Sequence, residues 1–224
     1  MALVTYKDLC IDACDVAAME GFWARTLGLT SEVLADGDAV LKGDDPSKTV
    51  WINLVPEALS VKQRVHIDVN AASLEPFSVL EQQSKDGEFP WTVFLDPEGG
   101  EFCVFVRDEV DAYLFYEVCV DAVDHQKITA WWADVMGGNL GHDKQGFSWI
   151  DKVPGVPFEG FSFATVPEPK TVKNRIHWDV TLNDGVTVDD LVAKGASVLR
   201  APDNEISWTI MADPEGNEFC VFDR

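Results

Sequence analysis

Two histidines of this chain stand in nearly identical surroundings, and a cysteine follows each of them further along. His66 lies in the segment Arg-Val-His-Ile-Asp and His177 in Arg-Ile-His-Trp-Asp, while Cys103 and Cys220 each follow an Asp-Pro-Glu-Gly motif. A carboxylate, an imidazole and a thiolate together can hold a divalent metal, and three protein ligands plus water form the catalytic arrangement. A strand histidine can equally satisfy a polar network, and cysteine is often buried, so from spacing alone we favour the structural interpretation.

These segments belong to a repeat that covers the chain. Residues 62–69 reappear as 173–180, a shift of 177 − 66 = 111 for the histidines, and residues 96–105 reappear as 213–222, a shift of 213 − 96 = 117. Shifts that grow slowly along the chain indicate small loop insertions between matched elements. The boundary falls in a short charged stretch without a Gly/Ser-rich linker, which predicts tandem domains at 1–109 and 110–224 that pack closely.

Each half is predicted to contain two strand–helix–three-strand units. Residues 6–13 alternate with the period of two that is typical of a half-buried strand. Asp15 then stands where a helix N-cap belongs, and Gly28 ends the amphipathic run that follows it. Further helices are predicted over 74–83, 126–136 and 188–194. The fold class is therefore α+β, with four βαβββ units in mostly antiparallel sheets, each covered by helices on its apolar face.

The polar face of each sheet is predicted to carry the functional residues, provided that the alternation holds; a slip of one residue would bury them all. We expect ligand-binding residues on this face, which in the first half are Asp8, Asn53, His66, Glu101 and Cys103. In the second half they are Glu117, His177, Glu218 and Cys220, with Ala164 on the same face.

Other recognisable features favour structural roles. The Asp-Pro-Glu-Gly segments predict type I turns. Lys62, Arg64, Lys173 and Arg175 can meet an anionic ligand or balance the neighbouring Asp68 and Asp179, and we favour the second. Most tryptophans should be core, with one or two walling a pocket and stacking on an aromatic ligand.

Composition excludes several classes of function. A net charge of −22 disfavours nucleic acid and anionic membranes as partners. No apolar stretch is long enough for a membrane helix, and no secretory signal is evident at the start. The five scattered cysteines form no CxxC pair and indicate free thiols, so we expect a cytoplasmic protein.

The sequence resembles the vicinal oxygen chelate superfamily, which includes glyoxalase I, extradiol dioxygenases and bleomycin-resistance proteins. The resemblance rests on the Asp15…Phe22-Trp23…Leu27-Gly28 helix, the Arg-Val-His66-Ile-Asp strand and the Asp-Pro-Glu-Gly-Gly-Glu-Phe-Cys ending, and all three recur in the second half. It covers essentially the whole chain and implies paired sheets around a cleft, either within one half or across the two. Asp8 is therefore expected to face either His66 or His177.

The resemblance also implies where metal ligands would stand. The first position, usually His or Gln, holds Asp8 and Glu117, and the second, often Glu, holds Asn53 and Ala164. The third is a true histidine in both halves, whereas the fourth, almost always Glu in the metalloenzymes, is Cys103 or Cys220. Each half thus keeps one unambiguous ligand of four.

We therefore expect a metal-independent binding protein of the bleomycin-resistance type that holds a small organic ligand, such as an aromatic cation, in the clefts lined by its sheets. The alternative is a lyase or isomerase whose zinc, nickel, manganese or iron lies among Asp8 or Glu117, a histidine and a cysteine. A third interpretation treats one half as a scaffold for the other. The internal pseudo-twofold symmetry predicts a monomer, with a homodimer as the alternative.

Overall fold

The structure, a computed structural model, describes residues 2–224. The first unit comprises β1 (Val4–Ala13), α1 (Val16–Leu27), β2 (Thr30–Val33), β3 (Ala39–Lys42) and β4 (Val50–Leu54); the second comprises β5 (Val65–Ala71), β6 (Thr92–Leu95) and β7 (Glu101–Val106). The third comprises β8 (Phe115–Ala122), α2 (His125–Met136), β9 (Asn139–His142), β10 (Phe147–Asp151) and β11 (Gly160–Thr165). The fourth comprises β12 (Ile176–Leu182), α3 (Val188–Ala193), β13 (Ser197–Arg200), β14 (Thr209–Ala212) and β15 (Glu218–Phe222).

The strands form two mixed sheets. The eight-stranded sheet has the order β13-β14-β15-β12-β1-β4-β3-β2, and the seven-stranded sheet has the order β6-β7-β5-β8-β11-β10-β9. Most neighbours are antiparallel; the parallel pairs are β1–β4, β8–β11, β12–β15 and β5–β7. The α+β class predicted from the sequence is confirmed.

Each sheet joins units from different halves of the chain. Strand β1 of the first unit pairs with β12 of the fourth, and β5 of the second unit pairs with β8 of the third. Asp8 consequently faces Asp179 and His177 rather than His66. The sequence left this choice open, and the division into domains at 1–109 and 110–224 stays a prediction.

Local sequence explains the ends of the two long helices. The side chain of Asp15 accepts a hydrogen bond from Ala18 N ahead of α1, and Asp124 caps α2 by accepting from Lys127 N. Gly28 ends α1 with φ 71°, and an added Cβ would lie 1.9 Å from the carbonyl oxygen of Ala112. Glycine is required at this position by both the backbone conformation and the close approach.

The helix predicted over 74–83 is wrong. Only Glu75–Phe77 forms a short 3-10 turn, and Val79 is 89% exposed, so the segment has no continuous apolar face to bury. Its backbone pairs with β6 instead, since Gln83 N donates to Val93 O and Leu95 N donates to Glu81 O. The second unit therefore lacks the covering helix of the other three.

The core lies between the helices and the apolar faces of the sheets. Trp23, Trp132 and Trp178 are almost fully buried, and Trp132 packs edge-on against Trp178 with ring centroids 4.9 Å apart. The expectation that most tryptophans are core is wrong, because only these three of the eight in the described part of the chain are buried and the other five are partly exposed. Within residues 2–224, no helix is long and apolar enough to cross a membrane.

Candidate functional site

The polar face of the eight-stranded sheet gathers a cluster that we call the eight-strand site: Asp8, Cys10, His177, Asp179 and Cys220. Strand pairing sets Asp8 opposite Asp179 and Cys10 opposite His177, and β15 sets Cys220 beside Asp179. His177 Nε2 lies 3.6 Å from Cys220 Sγ. These side chains come together because all point to one face of three adjacent strands.

The seven-stranded sheet repeats this cluster as the seven-strand site: Glu117, Cys119, His66, Asp68 and Cys103. Asp68 lies opposite Glu117 and His66 opposite Cys119, with Cys103 beside Asp68 on β7. His66 Nε2 lies 3.6 Å from Cys103 Sγ and 3.3 Å from Asp68 Oδ1. Each site therefore contains two carboxyl groups, one imidazole and two thiols.

The remaining predicted residues lie around these clusters. Asn53 reaches Cys10 at the eight-strand site, and Ala164 lines the cleft above the seven-strand site. Glu218 is instead engaged by Lys170 Nζ at 2.6 Å, and Glu101 lies 3.5 Å from Lys62 Nζ. A role of any of them in ligand binding stays a prediction.

Sequence reasoning missed four members of the two sites. Cys10 and Cys119 follow Asp8 and Glu117 by two residues, and Asp68 and Asp179 follow the histidines by two. Alternation alone places each of them on the polar face.

Burial sets the protonation of the paired carboxyl groups. Burial, followed by the charge of Asp8 and a hydrogen bond to it, raises the pKa of Asp179 well above its usual value. In the second site, burial and the charge of Asp68 raise the pKa of Glu117 to about 8. Two carboxyl groups at such short range cannot both ionise easily, which favours the protonated form of Asp179 and of Glu117.

The imidazoles and thiols also respond to burial. Burial lowers the pKa of His177, whereas at His66 the effect of burial is outweighed by Cys119, Cys103 and Asp68, which raise its pKa well above the usual value. Burial raises the pKa of Cys103 to about 12 and that of Cys220 further still. Without a metal, these thiols are neutral at pH 7 and therefore poor nucleophiles.

The donor sets can be compared with the needs of a metal ion. The donor atoms of His66, Asp68 and Cys103 lie within 4.8 Å of one another, as do those of Cys10, His177 and Asp179. Donors about 2.0–2.3 Å from a tetrahedral zinc stand roughly 3.3–3.7 Å apart, which matches the spacing around His66 Nε2. Thiol, imidazole and carboxylate together suit an ion of the zinc type and not magnesium or calcium.

The surroundings of the imidazoles support a metal less well. The Nδ1 atoms of His66 and His177 are buried and have no hydrogen-bond partner among residues 2–224. A ligating histidine almost always donates its second N–H to an acceptor that fixes the ring. The residues fit a zinc-type ion in donor type and spacing, but no neighbouring group holds either imidazole ring in place.

A cavity of about 890 Å³ opens above the seven-strand site. Its aromatic lining consists of Phe89, Trp91, Phe105, Tyr116, Phe147 and Trp149. Trp91 stacks on Phe89 with centroids 5.2 Å apart and packs near Phe105 at 5.5 Å. The prediction that one or two tryptophans wall a pocket is confirmed by Trp91 and Trp149.

Six acidic residues also line this cavity. They are Asp68, Glu101, Glu117, Asp143, Asp151 and Glu159. Among the lining residues that the structure describes, Lys62 is the one lysine or arginine, and it is bound 2.8 Å from Asp121 Oδ2. The cleft therefore combines aromatic walls with a strongly negative potential.

A second cavity, of about 710 Å³, lies between the connecting segments 55–64 and 166–175 and contains the four basic residues. Lys62 pairs with Asp121 and Glu101, Lys173 with Asp12, and Arg175 with Glu98. Arg64 donates to the backbone carbonyls of Glu168 and Asp121. Carboxylates therefore balance the two lysines and Arg175, as expected. The prediction that these carboxylates are Asp68 and Asp179 is wrong, because the side chains of Asp68 and Asp179 point into the two sites.

Paired sheets with a polar cluster on each uncovered face define a protein of the vicinal oxygen chelate superfamily. More specifically, the chain belongs to the family described as Glyoxalase-like domain, whose pattern matches residues 8–105 and again 117–222. The predicted resemblance and the tandem repeat are thereby confirmed.

Solved structures with this fold include glyoxalase I from Zea mays, with a TM-score of 0.66 at 12% identity over 98% of this chain and 92% of that chain. A protein from Bacillus subtilis subsp. subtilis str. 168, described as a candidate dioxygenase, has a TM-score of 0.66 at 14% identity over 99% and 86%. At such identities the likeness shows the fold alone. None of the curated proteins matches the chain.

Proposed function

We propose that the chain binds a small aromatic cation in the cleft above the seven-strand site and performs no chemistry on it. The observation that carries this proposal is the coincidence of six aromatic side chains and six carboxyl groups around one cavity of about 890 Å³. Aromatic faces attract cations as well as flat rings, and carboxylates add a long-range attraction. The cavity has the size of a typical small-molecule site.

The cleft supplies two distinct contributions to such binding. Aromatic rings form one side of the cleft. The centroid of the Trp91 ring lies 5.5 Å from that of Phe105 and 6.1 Å from that of Phe147, so that the three rings offer both faces and edges to a ligand. The Glu117–Asp68 pair lies at the floor beside His66, where carboxyl oxygens can meet the positive group of the ligand. Neutral thiols from Cys103 and Cys119 complete the floor without adding charge.

Fluorescence titration with proflavine, a flat aromatic cation, tests the proposal. We expect saturable quenching of tryptophan emission by proflavine and at least tenfold weaker binding of acridine, its uncharged relative at pH 8. Trp91→Leu should weaken proflavine binding about 5- to 10-fold, as loss of one aromatic contact worth about 1 kcal/mol would. Equal affinity for the charged and uncharged rings would contradict the proposal.

The pseudo-symmetry offers a matched control. Trp208 stands at the position in the second repeat that Trp91 occupies in the first, and it stacks on Phe222 at the eight-strand site. Trp208→Leu removes an equivalent ring from the other sheet and should leave proflavine affinity within about twofold. If both variants lost affinity equally, the aromatic cleft above the seven-stranded sheet would not be the binding site.

A metal-dependent lyase or isomerase is the second candidate. The observation that favours it is the recurrence of His, Asp and Cys donors within 4.8 Å in both sheets. A bound ion would supply Lewis-acid polarisation of vicinal oxygens on a small substrate. Glu117, with its pKa raised to about 8, would hold a proton at the floor of the cleft.

Elemental analysis of protein purified without chelator separates the two candidates. Near-stoichiometric zinc, nickel, manganese or iron that is lost in a His66→Ala, His177→Ala double variant would favour the enzyme. Protein that holds no metal and takes up none on dialysis would favour simple binding.

A further inference from the structure

Both sites contain a β-bulge at the same place. On β1, Tyr6 pairs with Val180 and Asp8 with Asp179, so that Lys7 has no partner on β12. On β8, Glu117 pairs with Asp68 and Phe115 with Val69, so that Tyr116 is the unpaired residue. A bulge breaks the alternation of the strand and re-aims one side chain. Lys7 and Tyr116 thus reach the polar face beside the carboxyl groups that follow them.

Lys7 occupies the eight-strand site with its own ammonium group. Its Nζ lies 2.6 Å from Asp8 Oδ2 and 4.3 Å from the centroid of the Phe222 ring. Phe222 in turn stacks on Trp208, with centroids 5.4 Å apart and planes 24° from parallel. A carboxylate on one side and an aromatic face on another form the arrangement by which proteins recognise organic ammonium ions.

The seven-strand site repeats the carboxyl group and the two aromatic rings, but its bulge carries no ammonium group. Glu117 replaces Asp8, Phe105 replaces Phe222 and Trp91 replaces Trp208. The residue in place of Lys7 is Tyr116, whose ring lies 5.0 Å from that of Phe105 and adds aromatic surface instead of charge. Arg107, which does not line the cleft, approaches the same two rings at 5.1 and 5.2 Å.

We infer that Lys7 is a tethered ammonium ligand of the eight-strand site, and that the seven-strand site binds the ammonium group of an external organic cation at the equivalent position, against Glu117 and Phe105. The second half of this inference rests on the proposed function and deepens it by naming where the positive charge lies. Only one of the two related sites is then open to a ligand, so one cation binds per chain.

Chemical rescue tests the tethered ammonium. Lys7→Ala removes a side chain whose missing atoms correspond to n-propylammonium. We expect the melting temperature of Lys7→Ala to fall by several degrees and to recover at least half of the loss in millimolar n-propylammonium. 1-Propanol should restore nothing, and n-propylammonium should raise the melting temperature of Lys7→Ala clearly more than that of the wild type, in which only the seven-strand site is open to it. Absence of rescue would overturn the role assigned to Lys7.

Transfer of the lysine tests the equivalence of the two sites. Calorimetric titration of the wild-type chain with benzyltrimethylammonium should show one binding event per chain. Tyr116→Lys places an ammonium group on the second bulge and should reduce this affinity at least tenfold. Val79→Lys adds the same charge at a residue that is 89% exposed and outside the cleft, and should leave the affinity unchanged.

The outcomes separate the inference from the proposed function. Rescue of Lys7→Ala combined with no binding of benzyltrimethylammonium or proflavine by the wild type would contradict the proposed function and leave the tethered ammonium supported. Unchanged binding in a Tyr116→Lys variant that melts like the wild type would show that the cation lies elsewhere in the cleft. Two binding events in the wild type would contradict occupation of the eight-strand site by Lys7.

Discussion

Asn174 Nδ2 donates a 3.0 Å hydrogen bond to Asn217 Oδ1, and these two side chains fill a space that Gln63 fills in the first repeat, where Gly100 replaces Asn217. An added Cβ on Gly100 would lie 2.5 Å from Gln63 Nε2. Two medium-sized side chains thus fill this space in the second repeat, whereas one long side chain beside a glycine fills it in the first.

Replacing Gly100 and Gln63 of the first repeat by their counterparts in the second should be tolerated only when both are replaced together. Gly100→Asn alone should destabilise the protein by about 1–3 kcal/mol, because the new side chain overlaps Gln63. Adding Gln63→Asn should recover most of that loss, since the pair then matches Asn174 and Asn217. Urea denaturation of the single and double variants gives the coupling energy, and strictly additive effects would show that the two positions do not share a space.

Asp96 should make stability depend on pH. Burial raises the pKa of Asp96 to about 6, although its Oδ1 accepts hydrogen bonds from Glu98 N and Gly100 N. Because the folded pKa exceeds the unfolded one, its contribution to stability is complete below about pH 4 and is lost as pH rises through about 6. Asp96→Asn keeps an acceptor and removes the charge.

Asp96→Asn should therefore be more stable than the wild type at pH 8, by at most about 3 kcal/mol, and no more stable at pH 4. Denaturation at both pH values measures the difference. Asp36→Asn on an exposed turn controls for the change in net charge. A variant that loses stability at pH 8 would mean that the ionised carboxylate is favoured by its hydrogen bonds.

The alternation of residues placed Asp8, Glu117 and the two histidines on the polar faces, but the cysteine or aspartate two positions further along each of these strands was missed; the paired repeats predicted the α+β units. Which strand would pair with β1 could not be predicted, because β5 and β12 share the same alternation and the same His-x-Asp-Val core, so that the sequence does not distinguish them. The bulges at Lys7 and Tyr116 leave no mark in the hydrophobic pattern. Periodicity also predicted a helix over 74–83 that does not form, because the backbone of this segment is hydrogen-bonded to β6.

Two glycines separate the effect of backbone conformation from that of close contact. Gly28 and Gly87 have φ of 71° and 74°, but only at Gly28 would a Cβ meet another atom within 4 Å, the oxygen of Ala112 at 1.9 Å. Gly87→Ala should cost about 1 kcal/mol for the left-handed conformation. Gly28→Ala should cost at least about 2 kcal/mol more, because α1 must move away from the segment that joins the two halves. Equal losses in thermal denaturation would exclude a rigid contact there.

The Glu of each Asp-Pro-Glu-Gly turn anchors a neighbouring helix, and the two copies should differ in strength. Glu98 Oε1 accepts from Cys14 N and Asp15 N, both at 2.6 Å, whereas Glu215 uses both oxygens, Oε2 for Val123 N at 2.8 Å and Oε1 for Asp124 N at 2.7 Å. Glu98 alone also binds Arg175, with NH2 to Oε2 at 2.6 Å. This contact ties the first, second and fourth units together.

Glu98→Ala should consequently destabilise the protein more than Glu215→Ala, by about 2–4 against 1–2 kcal/mol, since it leaves the largely buried Arg175 side chain without its carboxylate. Glu98→Gln keeps an acceptor for the helix and loses the charge, so it should fall between the two. The free energy of unfolding from urea titration ranks the three variants. If Arg175→Met added nothing to the loss in Glu98→Ala, the extra cost would be assigned to the ion pair; full additivity would assign it to the helix anchor alone.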